Sequence, residues 1–329
     1  MNLQEMMSMF TFAHKANVAV WIHGAPGTAK TASVYEYAAK VGLPLVKVFA
    51  PTADLITVMG ALSVNKETNE ASFLPLNKWI VDKPCIVLID ELPQAPVAIQ
   101  NAFSDLLLNK TIGDTQLHPE SFIIATGNRQ EDRAGTNRIP THIVNRCFHM
   151  YPELTGDEWL NWATDNKYDE RIIGFGHFRK ELLHNFDANQ AQKPYATFRS
   201  WSMVNELLRV GLPDNMILNA ASGIVGEGAG LEFDSFCKLS KSLQDPVGLL
   251  KNPGTFIPPT ELSGLYAIST AIAMNVDKAT AENFFVLMDQ MPTEFQVLGT
   301  MTALRRSKEI IVKTKGYLKW ASTNHAIII

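Results

Sequence analysis

Gly24-Ala25-Pro26-Gly27-Thr28-Ala29-Lys30-Thr31 sets a flexible turn, a cation and a hydroxyl at the spacing that a phosphate tail requires. Just upstream, Val18-Ala19-Val20-Trp21-Ile22 is a short apolar run of strand type, and downstream Thr31 to Val41 has helical composition. Strand, loop and helix in that order are the context in which such a stretch acts as a phosphate-binding loop. Successive backbone N–H groups at a helix N-terminus form an anion cradle, and the helix dipole reinforces it. Lys30 then reaches the β- and γ-phosphates, and Thr31 offers its hydroxyl to a magnesium ion, which keeps most of its waters and takes few protein ligands. The general pattern has glycine where Ala29 stands, which makes the loop less permissive there. An ordinary Gly/Pro turn between a strand and a helix is the competing reading, and the rest of the chain has to decide between them.

The next anchor is Cys85-Ile86-Val87-Leu88-Ile89, almost uniformly apolar and ending in Asp90-Glu91. Continuous hydrophobicity marks a central parallel strand covered on both faces, and its carboxyl end is where α/β sheets place chemistry. Two adjacent acids have distinct uses there: Asp90 supports a metal ion through water, and Glu91 orients and activates an attacking water. A fourth strand, Phe122-Ile123-Ile124-Ala125-Thr126, ends at Gly127-Asn128-Arg129. Asn128 is there either to position the lytic water or as a turn residue.

Other elements follow in order. Leu3, Met6, Met7, Phe10 and Ala13 predict an amphipathic helix, and Leu45 to Phe49 a second buried strand. A helical turn over Asp54–Met59 leads to a projecting hairpin near 62–74, a helix follows from about Ala98 to Leu108, and a tight hairpin spans Thr111 to Leu117. Arg129, Arg133, Arg138 and Arg146 lie between the fourth strand and a fifth, Cys147 to Met150. Arginine at an oligomer edge stabilises transferring phosphate charge in a neighbour's site, although a surface ion pair is its commoner fate. Beyond Pro152 the pattern is helical, with Trp159, Trp162 and Trp201 reading as core. Gly226 to Gly230 reads as a flexible turn, Pro246 to Pro259 as an extended linker, and the β-prone Ile327-Ile328-Ile329 as packed against the body.

Composition bounds the function. A chain of 329 residues holds about two domains, and a net charge of −4 disfavours a broad nucleic-acid footprint. Cys85, Cys147 and Cys237 lack metal-ligand spacing and read as reduced core residues, the cytoplasmic pattern. No apolar run reaches the roughly 18 residues of a membrane span.

Taken together, these motifs resemble those of an AAA+ ATPase, specifically the MoxR-like group. The loop with Ala29 is similar to that group's own variant, so the departure from the general pattern becomes a match. Asp90-Glu91 matches the Walker B end, Thr126-Gly127-Asn128 the sensor 1 position, the 62–74 hairpin the helix-2 insert and the 111–117 hairpin the pre-sensor 1 hairpin. Asn145-Arg146 resembles the arginine-finger site, with Cys147 intervening before Phe148, and Phe198-Arg199-Ser200-Trp201 resembles sensor 2 of the lid, with Phe198 where proline is usual.

The resemblance implies an α/β P-loop core with a five-stranded parallel sheet between helices (1–151), an α-helical lid (152–220) and a helical C-terminal extension (221–329). It implies a site for Mg-ATP in which Gly24 to Thr31 and Asp90 bind nucleotide, Thr31 and Asp90 hold Mg2+, and Glu91, Asn128, Arg146 and Arg199 serve hydrolysis. It further implies a homo-oligomeric ring, usually hexameric, that remodels a protein client and often works with a partner bearing a von Willebrand factor type A domain. A nucleic-acid-stimulated motor and a slowly hydrolysing nucleotide-gated scaffold are the alternatives.

Overall fold

The apolar runs that end in Asp90-Glu91 and in Gly127-Asn128 become neighbouring strands buried on both faces. The computed structural model describes residues 1–129, 137–186 and 193–324. Its strands are β1 (Val20–His23), β2 (Leu45–Phe49), β3 (Ala61–Asn65), β4 (Glu70–Leu74), β5 (Ile86–Asp90), β6 (Thr111–Ile112), β7 (Thr115–Gln116), β8 (Phe122–Gly127) and β9 (Phe148–Met150). Five of them form one parallel sheet in the order β2-β5-β8-β1-β9. The chain divides into two compact units, Met1–Leu154 and Thr155–Ile329.

In the first unit the helices are α1 (Leu3–Lys15), α2 (Lys30–Val41), α3 (Leu55–Met59), α4 (Val97–Asn109) and α5 (Thr141–Val144). Strand side chains alternate between two cores, as the period of 2 demands. Val20, Ile22, Ile86, Leu88, Phe122 and Ile124 meet Met6, Phe10, Val34 and Tyr37 of α1 and α2 on one face. Trp21, Val87, Ile89, Ile123 and Ala125 meet Phe103, Leu106 and Ile143 of α4 and α5 on the other. Asn2 caps α1 through a reciprocal capping box with Glu5, and Asp54 caps α3. The hairpins β3–β4 and β6–β7 form as the turn residues predict. The Phe73 N–H donates to Asp114 across 2.7 Å, so the two hairpins are joined.

The second unit is helical: α6 (Gly156–Asp165), α7 (Glu170–Phe178), α8 (Phe198–Arg209), α9 (Ile217–Val225), α10 (Glu227–Ser242), α11 (Pro246–Lys251), α12 (Leu262–Asn275), α13 (Ala281–Met288), α14 (Thr293–Ile311) and α15 (Lys315–Thr323). Two expectations need correction. The glycine run is no flexible turn: Gly226, at φ +90°, separates α9 from α10, and Gly228 to Gly230 lie in the first turns of α10. Glycine is needed at 230 because a Cβ there would stand 2.5 Å from the Ser222 backbone nitrogen of α9. Nor is the proline-punctuated stretch simply extended, since Asp245 caps α11 with Pro246 at its first position, where the missing N–H costs nothing. Ile327 to Ile329 and Arg133 lie outside the described residues. Among the described residues, no helix is long and apolar enough to cross a membrane.

Candidate active site

The period of the strands decides which side chains meet. Asp90 continues the face of Ile86 and Leu88, and Thr126 continues the face of Phe122 and Ile124, so both project toward α2. Lys47 alternates with Val46 and Val48, which belong to the opposite core, and so points the same way. The parallel strands bring these ends to one edge of the sheet, where the loop between β1 and α2 passes.

There the loop is held by its own lysine. Lys30, 5% exposed, donates from Nζ to the Gly24 and Ala25 carbonyls at 2.8 and 2.9 Å and to Asn128 Oδ1 at 2.9 Å. The Gly24 N–H donates to the Gly127 carbonyl at 3.3 Å, tying the loop's first residue to the end of β8. Thr28 Oγ1 donates to the Ala25 carbonyl. Gly27 and Ala29 both adopt left-handed backbone, φ +77° and +61°, immediately before α2. Glycine enters this region freely, whereas alanine is strained there.

The acids are organised through hydroxyls. Asp90 Oδ1 accepts from Thr31 Oγ1 at 2.8 Å and from Thr126 Oγ1 at 2.7 Å, and Asp90 Oδ2 is 2.7 Å from Lys47 Nζ. Burial acts to raise the Asp90 carboxyl, but the hydrogen bonds from Lys47, Thr126 and Thr31 and the Lys47 charge outweigh it and hold the group below its ordinary value. Thr126 also accepts the Glu91 N–H at 3.2 Å, so one hydroxyl touches both acids. Glu91 sits at φ +57°, a second left-handed non-glycine residue in the cluster, and Gln94 Nε2 donates to its Oε2 at 3.2 Å. Strain gathered at one edge is a mark of functional sites.

A histidine pair adjoins the loop, His23 standing immediately before Gly24. His149 donates from Nε2 to the Val144 carbonyl at 2.7 Å, which leaves its Nδ1 to accept from His23 Nε2, also at 2.7 Å. Burial, followed by the charges of His149, Lys30 and Arg129, lowers the His23 pKa to about 4.

The structure therefore gathers Lys30, Thr31, Asp90, Glu91 and Asn128 into one cluster. It does not gather Arg146, whose guanidinium donates to the Ser104 carbonyl of α4. Beside it, burial pushes the Cys147 thiol up to about 12. Arg138 is exposed. Arg199 lies in the second unit, exposed in the first turn of α8, whose N-cap is Thr197. Lys47 was missed in the sequence, and Thr126 was read there only as the start of the stretch that ends in Asn128, with no role of its own. Lys47 had a signal, being the one charge in an apolar strand. Thr126 had only its place at the end of β8.

Thr31 and Asp90 supply hard oxygen donors in contact with each other, a small anionic set of the kind that suits Mg2+.

Residues 20–150 match the family described as ATPase family associated with various cellular activities (AAA). No curated protein matches the sequence. Among solved structures, the chain is similar to a presumed ATPase from Cytophaga hutchinsonii, with 16% identity, TM-score 0.36, and coverage of 92% of this chain and 82% of that one. It is also similar to the RuvB Holliday junction branch migration motor of Thermotoga maritima, with 13% identity, TM-score 0.38, and coverage of 82% and 80%. A point mutant of the same RuvB gives 13% identity, TM-score 0.39, and coverage of 88% and 86%. With its five-stranded parallel sheet flanked by helices, its phosphate loop and the helical region that follows, the chain has the AAA+ P-loop fold, a nucleotide-binding fold.

Proposed function

We propose that this edge of the sheet binds Mg-ATP and hydrolyses its γ-phosphate, and that the chain works as a MoxR-like AAA+ remodeller of protein complexes in a homo-oligomeric ring. One observation carries the reading: around a helix N-terminus, Lys30 is bonded to Asn128, and Thr31 and Glu91 are tied to Asp90, the latter through the Thr126 hydroxyl. Backbone N–H groups of Gly24 to Thr31 cradle the phosphates, and Lys30 exchanges its carbonyl partners for phosphate oxygens. Thr31 and Asp90 would hold Mg2+, which would supply neutralisation of phosphate charge. Glu91 takes the proton of the attacking water, and Asn128 orients that water. Catalysis here is mainly positioning and charge stabilisation.

Arg199 senses the nucleotide from the helical lid, and Arg146 acts across a subunit boundary after releasing the Ser104 carbonyl. Arg129, Arg133 and Arg138 are its rivals for that role. Residues 152–220 serve as the lid and 221–329 as an extension. Exposed Leu62 and Val64 on β3 and Leu74 on β4 favour the β3–β4 hairpin as the part that meets a protein client. The client, and a partner bearing a von Willebrand factor type A domain, follow from the family resemblance.

Glu91→Gln tests the central step. It should retain nucleotide affinity while turnover falls at least about 100-fold, the usual worth of a general base. An unchanged steady-state ATPase rate sinks the assignment.

A further inference from the structure

Lys47 touches Asp90 from the neighbouring strand β2. β2 pairs with β5 so that Phe49 lies opposite Asp90 and Lys47 opposite Leu88. Lys47 is thus diagonal to Asp90 on the shared face, a separation of roughly 7–8 Å that a long side chain spans. Its Nζ reaches Asp90 Oδ2 at 2.7 Å while standing 6.0 Å from the centre of the Tyr35 ring on α2. Asp90 is 5% exposed, and among the described residues Lys47 is its one cationic partner.

This arrangement divides the carboxylate. One oxygen is engaged by the ammonium, and the other accepts the hydroxyls of Thr31 and Thr126. Because Thr31 spends its only proton on Asp90 Oδ1, its oxygen can act toward any further partner only through its lone pairs. Without Lys47, Asp90 is free to turn, and the Thr31 hydroxyl loses the acceptor that fixes its direction.

We infer that Lys47 is a positioning residue for the metal: it pins Asp90 so that Thr31 presents its lone pairs to Mg2+. The inference rests on the proposed Mg-ATP reading of the site. Residues behind direct ligands are typically worth about 10- to 100-fold in metal affinity.

The test is an equilibrium titration of a fluorescent ATP analogue with the full chain, with Mg2+ varied and with EDTA as the metal-free arm. Lys47→Gln and Lys47→Met, two neutral variants of different polarity, should each require about tenfold more Mg2+ for half-maximal effect. Their affinity for the analogue in EDTA should stay as in the wild type. Lys47→Arg, which keeps the charge, should fall between the wild type and the neutral variants or restore the wild-type Mg2+ requirement. An unchanged Mg2+ requirement in both neutral variants overturns the inference while leaving the site reading intact. An equal loss of affinity in EDTA also overturns it, since that marks a merely structural role. Failure of the wild type to bind the analogue would instead defeat the reading of the site.

Discussion

The two units bury their polar residues in contrasting ways. In the sheet unit, His23, Lys30, Asp90, Thr126 and Asn128 are all buried near one edge, and Lys30, Asp90, Thr126 and Asn128 are bonded to partners on other elements. In the helical unit, the Thr164 hydroxyl donates to the Leu160 carbonyl one turn back, and buried Asp234 pairs with Lys238 one turn on. Parallel strands all end at the same edge, so polar residues at their carboxyl ends converge. A helix satisfies a small polar side chain with its own preceding turn, so such residues stay scattered. Convergence across elements is what turns buried polarity into a site.

The largest test of this contrast is acid. His23 in the sheet unit and His177 in the helical unit both have pKa values lowered to about 4. For His177 the cause is burial and then the Lys180 charge, opposed by Asp157. Both values lie below that of an unfolded histidine, so between about pH 6.5 and 4 the unfolded chain binds more protons. Stability is therefore fully present above about pH 6.5 and falls with acidification, by on the order of 3 kcal/mol per residue at pH 4. Denaturant unfolding at pH 7.5 and 5 should show the decline, and His23→Gln and His177→Gln should each flatten it. Only His23→Gln should also alter the pH dependence of nucleotide binding, because His23 adjoins Gly24 and is bonded to His149. Equal effects of the two variants on binding would break the contrast.

Two glycines probe the same difference sterically. A Cβ at Gly127 would lie 2.2 Å from Cδ of the rigid Pro93 ring, and one at Gly230 would lie 2.5 Å from the Ser222 backbone. Alanine at either position should destabilise by about 1–3 kcal/mol through overpacking, read as a lower thermal midpoint. Gly127→Ala should weaken nucleotide binding as well, since Thr126 and Asn128 flank it. Gly230→Ala should leave the affinity unchanged.

What could be read in advance follows the same division. The centre of the sheet was legible because β5 and β8 are short, almost wholly apolar runs that end in polar residues, and Asp90-Glu91 and Asn128 were legible as those ends. Lys47 was hidden because its role depends on β2 pairing with β5, a neighbour relation that no local pattern specifies. Thr126 was hidden because a threonine closing a strand is ordinary until an acid on the next strand is found beside it. In the helical unit, the helical pattern beyond Pro152 was legible as a class. By contrast, α10 opens with glycines, and local propensity argues against a helix there; close packing on α9 overrides it. The Arg146 contact with Ser104 is long-range and left no trace in spacing.

The smallest effect concerns backbone strain. Ala29 in the phosphate loop and Lys167 after α6 hold nearly the same left-handed geometry, φ +61° and +59°. Glycine relieves that strain but adds freedom to the unfolded chain, so the two terms partly cancel. Ala29→Gly and Lys167→Gly should each raise stability by less than about 1 kcal/mol, measured by denaturant unfolding without nucleotide. Adding nucleotide separates them. The gain at Lys167 should be the same with and without it, because nothing at the end of α6 belongs to the site. The gain at Ala29 should also persist if the loop already has its binding geometry. A gain at Ala29 that vanishes when nucleotide is bound would mean that binding itself relieves the strain, and that the loop is reshaped by its ligand rather than held ready for it.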